Sequence, residues 1–127
     1  MYREFTVRLN EIKSRLRQQL DENFKEHKAI EDELQFKSLD EQNPIRERLE
    51  KNERAKVTIE AVIHRADRYG MHHLGPGKAL ICPECYIEKN ETSELKDIEP
   101  VPINFMKRFV CERCPFEMPV QRPIGEL

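Results

Sequence analysis

The chain has 127 residues, of which 38% are hydrophobic and 36% are charged, against averages of about 45–50% and about 25% for globular domains. This balance argues against the thick, two-layered core of a large enzyme domain and favours a structure with much solvated surface. With 22 basic and 24 acidic side chains the net charge is −2, so no global basic excess indicates nucleic-acid binding.

The sequence shows no signal for a membrane. No apolar run approaches the roughly 20 residues that a membrane-spanning helix requires, and the first residues lack the apolar stretch of a signal peptide. We therefore expect a soluble, cytoplasmic protein that does not contact a membrane.

Residues 3–38 contain no proline or glycine and predict one long helix. The apolar side chains recur with a mean spacing of about 3.6 residues, which is the helical period. This stripe consists of Phe5, Leu9, Ile12, Leu16, Leu20, Phe24, Ile30 and Leu34, with His27 filling one step. We expect His27 to be a core or interface histidine whose hydrogen bonds are made.

The stretch around residues 38–44 predicts a helix stop followed by a restart. Asn43 suits an N-cap and Pro44 suits the first helical position, whereas Gly70 suits the position just past a helix end. A second helix is therefore expected from about residue 44 to residue 68. The apolar residues of the stretch 57–63 also alternate with a period of two, which leaves a strand there as an alternative.

The two helices are predicted to form an antiparallel, coiled-coil-like hairpin over residues 1–70. Folding the chain back at residues 40–43 brings Ile59 against Phe24. It also places the acidic segment 20–43, with eight acidic and three basic side chains, against the more basic second helix.

The first helix is longer than its predicted partner. Phe5 and Leu9 extend beyond the second helix, so we expect them to pack on the C-terminal part. The remaining residues of the stripe have two interpretations. Either all of them form the core between the two helices, or some of them are exposed as a docking surface for a protein partner. A hairpin with so little apolar surface would also suit a homodimer formed through the helices.

The C-terminal part contains two Cys-x-x-Cys pairs separated by 25 residues. Two thiolates on one tight turn bind one ion, and a second such turn completes a tetrahedral shell about 2.3 Å from zinc. The candidate metal ligands are Cys82, Cys85, Cys111 and Cys114. Iron in the same ligand set and redox-active thiols are the minor alternatives, and disulfides are disfavoured because no secretion signal is present.

Through these two motifs, residues 79–120 resemble the four-cysteine zinc-ribbon class. The resemblance implies a small antiparallel β-structure with the four cysteines as ligands, in a domain of residues 71–127. Rubredoxin knuckles are also similar, but Tyr86 and Pro115 stand where glycine usually follows the second cysteine, which favours zinc over iron. Four thiolates leave no open position for water, so we expect a structural ion. The fold class is therefore α+β, ending in an extended tail or edge strand rich in proline.

A basic and aromatic cluster lies between the two cysteine pairs and at the second one. It consists of Lys107, Arg108 and Arg113 with Phe105 and Phe109, and such a face can stack bases and hold phosphates. The favoured interpretation is that the phenylalanines back the metal site and the basic side chains solvate an exposed strand. A nucleic-acid-binding ribbon remains the alternative.

The function predicted from these features is a non-catalytic interaction or regulatory protein. The sequence offers no nucleophile–base pair and no glycine-rich cofactor loop, which leaves redox use of the thiols as the minor enzymatic alternative. A helical hairpin ahead of a four-cysteine domain is similar to the DksA/TraR-type regulators of RNA polymerase, which carry acidic residues at the hairpin tip. That resemblance implies that Asp40 and Glu41, at the predicted tip, contact a protein partner in the transcription machinery.

Overall fold

A computed structural model describes residues 2–75, 77–98 and 106–121, without the side chains of residues 2, 98, 106, 107 and 121. Three helices precede three strands. In chain order they are α1 (Tyr2–Gln35), α2 (Leu39–His72), α3 (Pro83–Lys89), β1 (Lys96–Ile98), β2 (Met106–Val110) and β3 (Glu117–Gln121). The predicted α+β class, with long helices followed by a small antiparallel sheet, is confirmed. Among the described residues, no helix has both the length and the apolar composition needed to cross a membrane.

Contacts within the chain divide it into two compact units. Unit 1 consists of Met1–Lys13 and His64–Leu127, and unit 2 consists of Ser14–Ile63. Unit 1 thus takes the first turns of α1, the last turns of α2 and all of the chain that follows. The domain limits 1–70 and 71–127 stay a prediction.

Unit 2 is a pair of antiparallel helical segments joined by a turn at residues 36–38. Its buried residues include Leu16, Ile30 and Ile45, but also the amides Asn23 and Asn52. Each asparagine donates its side-chain Nδ2 to the main-chain oxygen of the other, and both distances are 3.1 Å. Because a buried amide is costly unless it is hydrogen-bonded, this reciprocal pair favours one alignment of the two helices.

The alignment differs from the prediction, which placed Phe24 against Ile59. Phe24 is 57% exposed, and Lys28 Nζ lies 5.1 Å from the centroid of its ring. Asn23 is buried next to it. An apolar pattern cannot reveal this register, because the residue that occupies the interior is polar.

His27 has the environment expected of it. Its Nδ1 lies 3.1 Å from Asn52 Oδ1 and its Nε2 lies 2.7 Å from Glu31 Oε1. The histidine extends the polar network of the asparagine pair, and the prediction of a satisfied histidine on the apolar stripe is confirmed.

Replacing Asn52 with alanine is expected to lower the free energy of unfolding by about 2 kcal/mol. The substitution removes the hydrogen bond from Asn52 Nδ2 to the carbonyl of Asn23 and the one between Asn52 Oδ1 and His27. Asn43→Ala is the matched control, since Asn43 is an exposed asparagine of the same helix. Denaturant unfolding followed by circular dichroism measures both variants. Equal stability of the two would contradict the role given to the asparagine pair.

Helix α2 begins at Leu39, five residues before the predicted start, and Pro44 lies inside it. The predicted N-cap at Asn43 is therefore wrong. Proline at this position removes the hydrogen bond to the carbonyl of Asp40, which is an exposed residue. Water can replace a bond lost near an exposed helix end, so the helix tolerates the proline.

The same helix continues through Gly70 to His72, so the predicted helix end before Gly70 is wrong, as is the alternative strand at residues 57–63. A Cβ atom on Gly70 would lie 3.0 Å from Leu9 Cδ2. The glycine therefore serves close packing against α1 within unit 1 and does not end the helix.

The three strands of unit 1 form an antiparallel sheet in the order β1-β2-β3. Strand β3 contains Pro119, which pairs with Arg108 of β2. Its place at the edge confirms the prediction for the proline-rich segment, because only an edge strand tolerates a missing donor. Residues 122–127 of the predicted tail lie outside the described part of the chain.

The core of unit 1 joins the start of α1 to the sheet. Phe5 is fully buried, and its ring centroid lies 5.9 Å from that of Phe109 in β2. The cluster also contains Phe116, Val120 and cysteine side chains. The prediction that Phe5 packs on the C-terminal part is confirmed, whereas Leu9, which was also expected beyond the second helix, lies against Gly70 of α2.

Candidate metal centre

The first cysteine pair lies at the start of helix α3. Cys82 is the N-cap residue, with extended φ and ψ of −64° and 117°, and Pro83 opens the helix. Asn90 ends it in the left-handed conformation, with φ of 55°, which asparagine tolerates better than most residues. Sequence reasoning missed α3, although proline at the first position and Lys89 in the last turn are recognised helix signals.

The second cysteine pair lies in the turn between β2 and β3. The main-chain N–H of Cys111 donates to the carbonyl of Phe116 at 3.1 Å, which closes the turn. Strand pairing between β2 and β3 therefore holds Cys111 and Cys114 on one short loop, as the spacing of the motif predicted.

The structure brings the four cysteines together. All four are free thiols, and their sulfur atoms lie within 4.8 Å of one another. Cys82 Sγ is 3.6 Å from Cys114 Sγ, and Cys85 Sγ is 3.7 Å from Cys111 Sγ. In a regular tetrahedron with metal–sulfur bonds of about 2.3 Å, each sulfur–sulfur edge is about 3.8 Å. The four residues fit a four-thiolate site that can hold one metal ion.

The site is largely closed to solvent. Cys82 and Cys85 are fully buried, Cys111 is buried, and Cys114 is partly exposed. Phe109 belongs to the same buried cluster as the three buried cysteines, so the interpretation that this phenylalanine backs the site is confirmed.

Hydrogen bonds distinguish Cys111 from the other thiols. Ser93 Oγ lies 3.3 Å from Cys111 Sγ, and the main-chain N–H of Arg113 donates to the same sulfur at 3.4 Å. Burial raises the pKa of Cys111, but these bonds and one from the N–H of Cys114 outweigh it and lower the pKa to about 6. Ser93 thus contacts the candidate site, and no sequence motif indicated it.

The first pair has the opposite electrostatics. Burial raises the pKa of Cys85 to about 11 and raises the pKa of Cys82 as well. A metal ion binds thiolates, so it must displace these protons, and its binding is expected to strengthen as the pH rises.

Two side chains of α2 hold the segment that carries the first pair. Tyr69 is fully buried and donates its hydroxyl to the carbonyl of Ile81 at 2.7 Å. Arg65 Nε donates to the carbonyl of Ile87, also at 2.7 Å. Burial raises the pKa of Tyr69, so the hydroxyl stays a donor. Tyr69 follows Ala66 at helical spacing, a signal that extending the apolar stripe of α2 would have found.

Of the basic and aromatic cluster, the structure describes the side chains of Arg108, Phe109 and Arg113. Arg108 is exposed on β2, and the exposed Arg113 has Nη1 3.9 Å from Glu91 Oε2. Phe109 is buried against Phe5 and is therefore not available to stack on a base. The side chain of Lys107 and the whole of Phe105 lie outside the described residues.

The candidate partner residues are exposed. Asp40 and Glu41 lie in the first turn of α2, next to the turn at residues 36–38. Two large apolar side chains accompany them, since Phe36 is 84% exposed and Leu39 is 80% exposed. Sequence reasoning placed the turn slightly later and did not single out these two residues.

Comparison with family models, curated proteins and solved structures finds no match for this chain. The resemblance to DksA/TraR-type regulators therefore has no support from relatives. The four clustered cysteines alone connect the chain to a known class of site: they fit the four-cysteine sites that hold zinc.

Proposed function

We propose that this chain is a non-catalytic zinc-binding protein, in which Zn²⁺ held by Cys82, Cys85, Cys111 and Cys114 stabilises unit 1. The observation that carries the proposal is the spacing of the four sulfurs: the distances of 3.6 Å between Cys82 and Cys114 and 3.7 Å between Cys85 and Cys111 fit the edges of a tetrahedron around zinc. A complete set of four protein ligands leaves no position for a reacting water. The ion, when bound, supplies a cross-link between the two cysteine pairs.

Zinc is favoured over iron, although both bind four thiolates in a tetrahedron. Tyr86 and Pro115 follow the second cysteine of each pair, where iron-binding knuckles of the rubredoxin kind usually have glycine. A larger side chain and a proline at these positions support the zinc assignment.

Metal analysis of the purified chain tests the assignment. We expect one zinc ion per chain, a colourless sample and thiols that resist titration until the metal is removed. Iron would colour the oxidised protein through sulfur-to-metal charge transfer and would overturn the choice of metal. A folded protein without bound metal and with reactive thiols would overturn the proposal itself. The mass of the same sample in solution tests the homodimer through the helices.

We further propose that the hairpin of unit 2 presents its tip to a protein partner. The tip is defined by four exposed residues of the turn and the start of α2: Phe36, Leu39, Asp40 and Glu41. Exposed large apolar side chains that stand together often mark an interaction surface. Adjacent carboxylates would select a partner surface that carries basic groups.

Charge reversal at the tip tests this part. A tagged chain with Asp40→Lys and Glu41→Lys is expected to lose the partner that the unaltered chain captures from its host, since like charges now face the basic partner surface. The matched control is Glu50→Lys with Glu53→Lys, which alters two exposed acids elsewhere on α2. Zinc content should stay unchanged in both, and circular dichroism should show that both stay folded. The tip model would be contradicted if the tip variant still captured the partner, or if the control variant lost the partner to the same extent.

A further inference from the structure

Unit 1 carries an open cleft of about 980 Å³ next to the metal centre. One wall comes from the first turns of α1, a second from α3, and a third from residues 114–118. Cys114, the partly exposed cysteine of the metal centre, lies in this third wall. The volume is at the upper end of the range of about 300–1,000 Å³ that is typical of ligand-binding clefts.

Part of the cleft lining is apolar. Val7, Pro115, Phe116 and Met118 all contribute to it. Val7 is 50% exposed, although it lies on a helix whose opposite side is buried. An exposed branched side chain beside a phenylalanine and a methionine offers a place for one apolar side chain of a ligand.

The charged lining has an excess of acid. The acidic residues are Glu4, Glu11, Glu84, Glu88 and Glu117, and the basic residues are Arg3, Arg8 and Lys89. The guanidinium of Arg8 already pairs with Glu84 and with Glu11. Four thiolates around a divalent ion add further negative charge at Cys114. The cleft therefore attracts a cation.

Glu4 gives the cleft a specific acceptor. Its Oε2 atom is buried and has no hydrogen-bond partner among the described residues. A buried carboxylate oxygen without a donor costs free energy that a ligand can recover by supplying one. Glu4 is also one of the residues that line the cleft, so a ligand bound there can bring a donor to its carboxylate.

We infer that this cleft binds a segment of a protein partner in which an apolar side chain stands beside a lysine or arginine. The cationic group donates to Glu4, and the apolar group packs on Val7, Phe116 and Met118. The inference goes beyond the proposed function, because it concerns a surface of unit 1 and does not depend on the hairpin tip.

A synthetic peptide of alternating leucine and lysine is the probe. Titrated into the zinc-loaded, ¹⁵N-labelled full chain, it is expected to shift the amide resonances of the residues that line the cleft. The same peptide with glutamate in place of lysine should not bind. Spermidine, which has the charge but no apolar side chain, should bind at least about tenfold more weakly than the leucine–lysine peptide, because it buries little apolar surface.

Matched variants distinguish binding of the peptide in the cleft from non-specific electrostatic attraction to an acidic protein. Glu4→Gln and Val7→Ser are each expected to weaken binding of the peptide about tenfold, through a lost charge-assisted bond and a lost apolar contact. The controls are Glu26→Gln and Val57→Ser, which make the same changes at exposed positions of unit 2 and should leave the affinity unchanged.

The stability of one variant gives an independent readout. Because Glu4 Oε2 has no donor within the part of the chain that the structure describes, Glu4→Gln should weaken binding of the peptide without lowering the melting temperature. A glutamate that only supports the fold would show the opposite. Resonance shifts that cluster in unit 2, equal binding of spermidine, or equal losses in the control variants would each overturn the inference.

Discussion

Replacing Cys85 with serine is expected to abolish metal binding and to unfold unit 1. Zinc binding contributes apparent free energies of about 10–16 kcal/mol in zinc-finger peptides, which matches the whole stability of about 5–15 kcal/mol of an ordinary domain. Cys85 is fully buried in the core of unit 1, so loss of the ion also leaves a buried polar cluster without its cross-link. Metal analysis and amide hydrogen exchange measure the two effects.

Ser93→Ala is the control for this substitution. It removes the hydroxyl that lies 3.3 Å from Cys111 Sγ but keeps all four ligands. We expect the variant to stay folded and to retain its metal, with an affinity lower by about 10–100-fold, as for other groups that hydrogen-bond a ligand. If Cys85→Ser left amide protection in unit 1 intact, the ion would not be what stabilises this unit.

Replacing Phe5 with alanine is expected to lower the free energy of unfolding of the metal-loaded chain by about 3–5 kcal/mol, the usual cost of removing a buried phenylalanine ring. Phe5 has no exposed surface and contacts Phe109 in the cluster that contains the cysteines. Denaturant unfolding at a fixed zinc concentration measures the change.

The chain contains its own control for this experiment. Phe36 is 84% exposed, so Phe36→Ala removes the same ring from the surface and should change the free energy of unfolding by less than about 0.5 kcal/mol. A similar loss in both variants would mean that Phe5 does not form the core that joins α1 to the sheet.

The metal ligands could be predicted from the sequence because their chemistry is local. Two cysteines three residues apart already place two sulfurs on one ion, and one hairpin is enough to bring the second pair opposite the first. The first long helix could be predicted equally well, since the apolar period and the absence of glycine and proline over residues 3–38 are properties of the sequence alone.

The details that escaped prediction depend on neighbours distant in the chain. Glycine is a residue type that often ends a helix, so the sequence suggests a helix end at Gly70. The short distance between Gly70 and the side chain of Leu9 explains why a glycine lies inside α2 instead. Asn23 and Asn52 look like surface residues until each is seen to bond the main chain of the other. Such pairs are visible only once the two helices are aligned.

Helix α3 escaped prediction for a different reason. Pro83 and Asn90 are signals for the start and the end of a helix. They were overlooked because the two cysteine pairs were expected to lie on two equivalent turns, each entered by a strand. The two pairs are in fact held differently, one by a helix start and the other by a strand turn. A motif that predicts the ligands therefore does not predict the elements that carry them.

Unit 1 draws on both ends of the chain, since residues 1–13 pack with residues that begin at His64. During synthesis at about 5–20 residues per second, Phe5 leaves the ribosome several seconds before Cys114 exists. Until Phe109 and Phe116 are made, Phe5 cannot pack in its buried cluster, whereas residues 14–63 can already pair with one another. Capture of the ion by all four cysteines therefore follows the synthesis of Cys114, and the buried cluster around Phe5 is completed late in the synthesis of unit 1.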